Sequence, residues 1–135
     1  MTAAKPTTKL FRAFKTQPNG QPLCGAAGSM LGVRPGVDIT PDGSGQVQPV
    51  TGGMSVTPGD PVYLPPFLRP ASLGGHGTLP VFALDSNALG EKLTYRPDPA
   101  KPTKHGFVEP AIAMLLTAYS AALAETAAAW KVVPL

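Results

Sequence analysis

A chain of 135 residues with a formal net charge of +3 has room for one hydrophobic core and not for two. Its eleven lysines and arginines are dispersed without a run, and no basic stripe with interleaved aromatics appears, which argues against nucleic-acid binding. The single cysteine excludes an internal disulfide, and no segment reaches the roughly 18 consecutive apolar residues of a membrane span.

The first residues, MTAAKPTTK, lack the apolar core of a signal peptide, so 1–8 reads as a short mobile leader and 9–135 as a single domain. The run Lys9-Leu10-Phe11-Arg12-Ala13-Phe14-Lys15, closed by the turn Pro18-Asn19-Gly20, predicts a first strand. Alternation places Leu10, Arg12 and Phe14 on one face. If that face is inward, Arg12 needs an anionic partner or a water-filled cleft; the alternative is an edge strand with Arg12 in solvent.

Residues 21–48 are irregular and glycine-rich. Neither G-x-x-x-x-G-K-[ST] nor a strand-borne G-x-G-x-x-G occurs in them. Val33-Arg34-Pro35 and Val37-Asp38-Ile39 read as strand fragments, Pro41-Asp42-Gly43 as a turn, Arg34 as a loop charge and Cys24 as a small buried or loop thiol.

The stretch 50–77 organises the chain, because its glycine pairs and prolines leave little room for helix. A long segment of this kind in a compact domain is a functional loop or disorder, and its threaded apolar residues (Val56, Val62, Tyr63, Leu64, Phe67, Leu68) favour a loop anchored to the core. Residues 47–56 predict a short extended pair about Thr51-Gly52-Gly53, with Ser55 beside Gly-Gly main chain that a ligand can approach closely.

Further strands are predicted at Pro80-Val81-Phe82-Ala83-Leu84 and Lys92-Leu93-Thr94-Tyr95-Arg96, with a helical turn at Asp85-Ser86-Asn87 between them. A charged linker at 101–104 leads to a helix opened by Glu109 and Pro110. Ile112, Leu115, Leu116, Tyr119, Leu123, Thr126 and Trp130 supply its apolar stripe, and Trp130 to Val133 a closing strand. The fold class expected is α+β: short strands, Gly/Pro-rich loops and one long C-terminal helix.

Two histidines and one cysteine without metal-ligand spacing leave no expected metal site, and no G-x-S-x-G elbow is present. Physical reasoning leaves a candidate anion-binding cleft built from Arg12, Ser55, Glu109 and His105.

A resemblance extends this. The words Leu10-Phe11-Arg12-Ala13, Gly52-Gly53-Met54-Ser55-Val56, Leu64-Pro65-Pro66 with Arg69-Pro70, Leu73-Gly74-Gly75, Leu93-Thr94-Tyr95-Arg96-Pro97-Asp98, His105-Gly106 with Glu109-Pro110, and Thr126 with Trp130 stand in one order. From about residue 10 to 133 they resemble the family of the second type VI secretion exported effector. Those are small toxins with a compact fold like that of NAD-using ADP-ribosyltransferases. The resemblance implies NAD as substrate, without a metal, held by Arg12, Gly52, Gly53, Ser55 and Arg69, with Glu109 as the acid that stabilises charge when nicotinamide leaves and His105 as its helper. It also implies an immunity protein, an unidentified macromolecular target, and action in a target cell's cytoplasm after export without a cleaved signal. No E-x-E or Q-x-E pair stands on a late strand, and Glu109 equally reads as a helix-start carboxylate. NAD hydrolysis without transfer, or a non-catalytic binding module on the same fold, are the alternatives.

Overall fold

The computed structural model describes residues 7–135. Of the expected leader, residues 1–6 lie outside the described residues; Thr8 is tied down, its N–H donating to Ser86 Oγ at 2.9 Å and its carbonyl accepting from Ser86 N.

Eight strands and one helix follow in chain order: β1 (Lys9–Ala13), β2 (Gln46–Val47), β3 (Met54–Pro58), β4 (Val81–Asp85), β5 (Leu93–Pro97), β6 (Gly106–Pro110), β7 (Met114–Leu115), α1 (Leu116–Glu125) and β8 (Lys131–Val132). Six of them form an antiparallel sheet in the order β5-β6-β3-β1-β4-β8, and β2 pairs with β7 in a separate two-stranded ribbon. The class is α+β, with one C-terminal helix. No helix among the described residues is long and apolar enough to cross a membrane.

Strand β1 lies inside the sheet between β3 and β4, so the edge-strand reading of Arg12 is excluded. Leu10 and Phe14 enter the main core with Met54, Val56, Phe82, Leu84, Val108, Tyr119, Leu123 and Trp130. Phe14 meets the rings of Phe82 and Trp130 edge to face, at centroid distances of 5.6 and 5.0 Å. Phe11, on the other face, joins Leu64 and Val81 in a second, smaller cluster. The sheet therefore has a helix-covered face and a loop-covered face, and β1 contributes to both.

Two local expectations give way to sheet pairing. Residues 47–56 do not pair with each other: β2 goes to β7, and β3 takes β1 on one side and β6 on the other. Nor does the helix open at Glu109-Pro110. Residues 106–110 form β6, which pairs with β5 over five positions, and α1 begins only at Leu116. Alanine-rich propensity is a weak prior beside two full ladders. Ile112 and Leu115, expected in the buried stripe, are 67% and 52% exposed, whereas Tyr119, Leu123, Thr126 and Trp130 are buried.

Tyr119 ties the helix to the sheet. Its hydroxyl donates to Val108 O on β6 and accepts from Met54 N on β3 at 3.1 Å, so the phenol bridges two neighbouring strands; burial pushes its pKa up. Gly53 makes that close approach possible. A Cβ there, at φ +159°, would sit 2.5 Å from Val108 O and 3.1 Å from the Tyr119 hydroxyl.

Candidate functional site

The β1–β3 ladder contains only two pairs, Leu10 with Pro58 and Phe11 with Thr57, against five between β1 and β4. Next to this short ladder, Ser55 O accepts a hydrogen bond from the guanidinium of Arg12, Nη1 to O 2.8 Å. Its Nη2 donates to Met30 O at 2.9 Å, and the Phe14 ring lies 5.4 Å from its central carbon. The pleat sends the side chains of Arg12 and Ser55 to opposite faces of the sheet. Both nevertheless line one cavity of about 460 Å³, at the place where β1 and β3 stop pairing.

Arg12 is 8% exposed, and its Nε is buried without a hydrogen-bond partner. Burial lowers its pKa to about 10, a shift that Asp38 partly opposes and Arg34 reinforces, so the group stays cationic at neutral pH. A buried cation whose partners are main-chain carbonyls is incompletely neutralised, and an anion is what it lacks. Two of its five N–H groups are committed to Ser55 O and Met30 O.

Across the same cavity Arg34 clasps Asp38: Arg34 Nη2 reaches Oδ1 at 2.9 Å, Nε reaches Oδ2 at 3.1 Å and the Arg34 backbone N–H reaches Oδ2 at 2.7 Å. Burial alone would raise the Asp38 pKa, but these Arg34 contacts and the Arg12 charge outweigh it and hold the carboxylate below its ordinary value. The lining thus has two guanidiniums against one carboxylate. Ala13, Ser29, Val56, Thr57, Leu64 and Phe67 supply much of the remaining wall.

His105 also lines this cavity, at its border with a second one of about 530 Å³. Its Nδ1 lies 2.8 Å from Asp98 Oδ2, an orienting contact for the imidazole. Hydrogen bonds from Ala100 N and then His105 keep Asp98 below the usual carboxylate range.

Of the residues singled out from sequence, then, Arg12, Ser55 and His105 meet at one cavity. Arg69 does not: it lines the second cavity, its Nη1 bonded to Val62 O at 2.9 Å. Gly52 and Gly53 serve packing rather than lining the Arg12 cavity. A Cβ on Gly52 would come within 2.3 Å of Asp38 O, and Gly53 N donates to that same oxygen at 2.9 Å.

Glu109 stands on β6, 3% exposed and outside the cavity lining. Its Oε2 accepts from Arg96 Nε at 2.8 Å and from Val50 N at 3.0 Å. Val50, at φ +64°, holds a backbone conformation unusual for a β-branched residue. Glu109 therefore anchors the 48–53 turn to the sheet, a role distinct from both the helix-start carboxylate and a group facing the cavity.

Sequence reasoning missed the Arg34–Asp38 clasp, which the i,i+4 spacing within a short loop would have suggested. It also expected the apolar residues of 61–70 in the core. Leu64 is buried there, but Tyr63 and Phe67 are 42% and 64% exposed. Cys24 is an exposed loop thiol. Among the described residues no cluster of three or more His, Cys, Asp or Glu could hold a metal ion. Comparison with protein-family models, with curated proteins and with solved structures finds no match.

Proposed function

We propose that this chain is a toxin that uses NAD as substrate, an ADP-ribosyltransferase-like enzyme whose cofactor sits in the Arg12–Ser55 cavity. The observation that carries the reading is the buried, cationic Arg12, without a carboxylate of its own, in the wall of a cavity whose volume lies in the roughly 300–1,000 Å³ range of small-molecule sites. A pyrophosphate offers the missing anion, and the mostly apolar wall suits a nucleoside face. The order of sequence words shared with the type VI effector family supports the same substrate.

In this reading the N-glycosidic bond between ribose C1′ and nicotinamide breaks, nicotinamide leaves neutral, and C1′ bonds to a nucleophilic oxygen or nitrogen of the acceptor, which loses its proton. Arg12 holds the phosphates. Asp38, the carboxylate in the lining, stabilises the positive charge that develops at C1′, a form of electrostatic assistance that can dominate catalysis. Glu109 acts behind the site by fixing the turn that abuts Asp38 O. His105, with Nδ1 facing Asp98, keeps Nε2 as the acceptor for the released proton. The acceptor is a macromolecule of the target cell's cytoplasm, and an immunity protein guards the producer.

A second reading has its own observation. Both Nη atoms of Arg12 bond to main-chain carbonyls, as a purely structural pin between β1, β3 and the 28–31 loop would. On that reading the chain is a non-catalytic binding module. Purified protein mixed with NAD separates the two. Release of nicotinamide that falls about a hundredfold in Arg12→Met, and falls also in Ser55→Ala, supports the enzyme. Ser55→Ala removes one partly exposed hydroxyl and leaves the fold intact, so it stays informative if Arg12→Met is unstable. No release from folded wild type supports the module.

A further inference from the structure

The second cavity is separate from the NAD site and shares a wall with it: Thr57, Leu64, Pro65 and His105 line both. Two segments far apart in sequence close around it. From 62–69 come Tyr63 and Arg69, and from 98–105 come Asp98, Lys101 and Lys104.

Three fixed cations therefore face one carboxylate, an excess of two positive charges in a single cleft of a chain whose net charge is +3. The carboxylate is already engaged by Ala100 N and His105. Lys101 and Lys104 are exposed, and neither forms a salt bridge among the described residues. Arg69 is held in place through its bond to Val62 O.

An aromatic surface stands among these charges. Tyr63 is 42% exposed, with Lys104 Nζ 5.8 Å from its ring centroid, and Phe67, 64% exposed, lines the adjoining Arg12 cavity. Basic groups that track phosphates, interleaved with aromatic rings that stack on bases, make up the recognition surface for single-stranded nucleic acid. The sequence shows no such stripe because the rings and the lysines come from different loops, about forty positions apart.

We infer that this cleft binds single-stranded nucleic acid, with phosphates on Arg69, Lys101 and Lys104 and a base stacked on Tyr63. Small anions would use the charges but not the ring, and an acidic peptide would gain nothing from a stacking platform. As a binding site it stands without catalysis. Resting on the proposed transferase function, it also names the acceptor: a strand in this cleft runs past His105 to the cavity that holds NAD.

The test is fluorescence anisotropy with a labelled single-stranded oligonucleotide of about ten nucleotides, titrated with the full chain in the absence of NAD. Nicotinamide release is measured separately without oligonucleotide, so failure of one assay does not imply failure of the other. Wild type is expected to bind, with affinity falling as salt rises. Lys101→Ala/Lys104→Ala should flatten the log Kd against log salt slope by about 1.4, at about 0.7 per lost phosphate contact. Tyr63→Ala should weaken binding at least about fivefold at every salt concentration. All three side chains are exposed, so the fold survives their loss, and circular dichroism checks it. No binding by wild type overturns the inference. So does binding unchanged in both variants, or a polyglutamate peptide that competes as well as the oligonucleotide.

Discussion

The two faces of the central sheet differ in what covers them. On one, α1 and the residues after it press Tyr119, Leu123 and Trp130 onto Phe14, Phe82 and Val108, and the packing is that of a regular core. On the other, the irregular segment 59–77 lies over a small cluster at Phe11, Leu64 and Val81, and two cavities open beside it. Strand β1 belongs to both faces, since Leu10 and Phe14 support the core and Phe11 joins the small cluster, while Arg12, on the core side, reaches the cavity where β1 and β3 stop pairing. The larger core lies under the helix, and the cavities open beside the loops.

Substitutions on either side test that division. Phe14→Ala removes a fully buried ring with two aromatic partners and should cost about 3–5 kcal/mol in denaturant unfolding. A cost under about 1 kcal/mol would mean that the helix-covered face is not the core. Glu109→Ala leaves Arg96 and the Val50 N–H without their acceptor and should cost about 3 kcal/mol, with Glu109→Gln milder. If Glu109→Ala abolishes nicotinamide release at unchanged stability, Glu109 acts at the cavity after all.

Asp38 predicts a pH effect. Its native pKa lies below the ordinary 3.8, so the unfolded chain binds the proton more readily than the folded one. The stabilisation is complete above pH 3.8 and is lost as pH falls from there through the depressed native value. Asp38→Asn should flatten that acid limb of the unfolding profile, and an unchanged limb would show that the Arg34 clasp contributes nothing. The smallest effect is expected of Phe67→Ser, within about 0.5 kcal/mol of wild type, because the ring is largely in solvent. A larger loss would place Phe67 in the small cluster at Phe11, Leu64 and Val81, of which it is not a member.

The same division explains how far the sequence could be read. Strands β1, β4, β5 and β8 coincide with runs whose alternation or composition marked them, because a paired strand imposes its period on the chain. The start of α1 could not be read, since residues 106–110 carry the capping signs of a helix and only pairing with β3 and β5 makes them a strand. Arg12 was legible as a cation among large apolar neighbours. Its neighbours Arg34 and Asp38 were not, because an irregular loop has no period from which to infer what it faces. Glu109 shows the limit from the other side: a lone acid near a histidine suggested chemistry, and its partners Arg96 and Val50, thirteen and fifty-nine positions away, give it a structural one.

The account rests on Arg12 being an anion-binding group in an open cavity rather than a pin between strands. Isothermal titration of NAD into wild type and Arg12→Met, at a temperature where circular dichroism shows both folded, measures this directly. Saturable binding by wild type that weakens at least about tenfold in the variant is the predicted result, the loss of one charge-assisted contact to phosphate. Equal binding by the two proteins, or none by folded wild type, would contradict it.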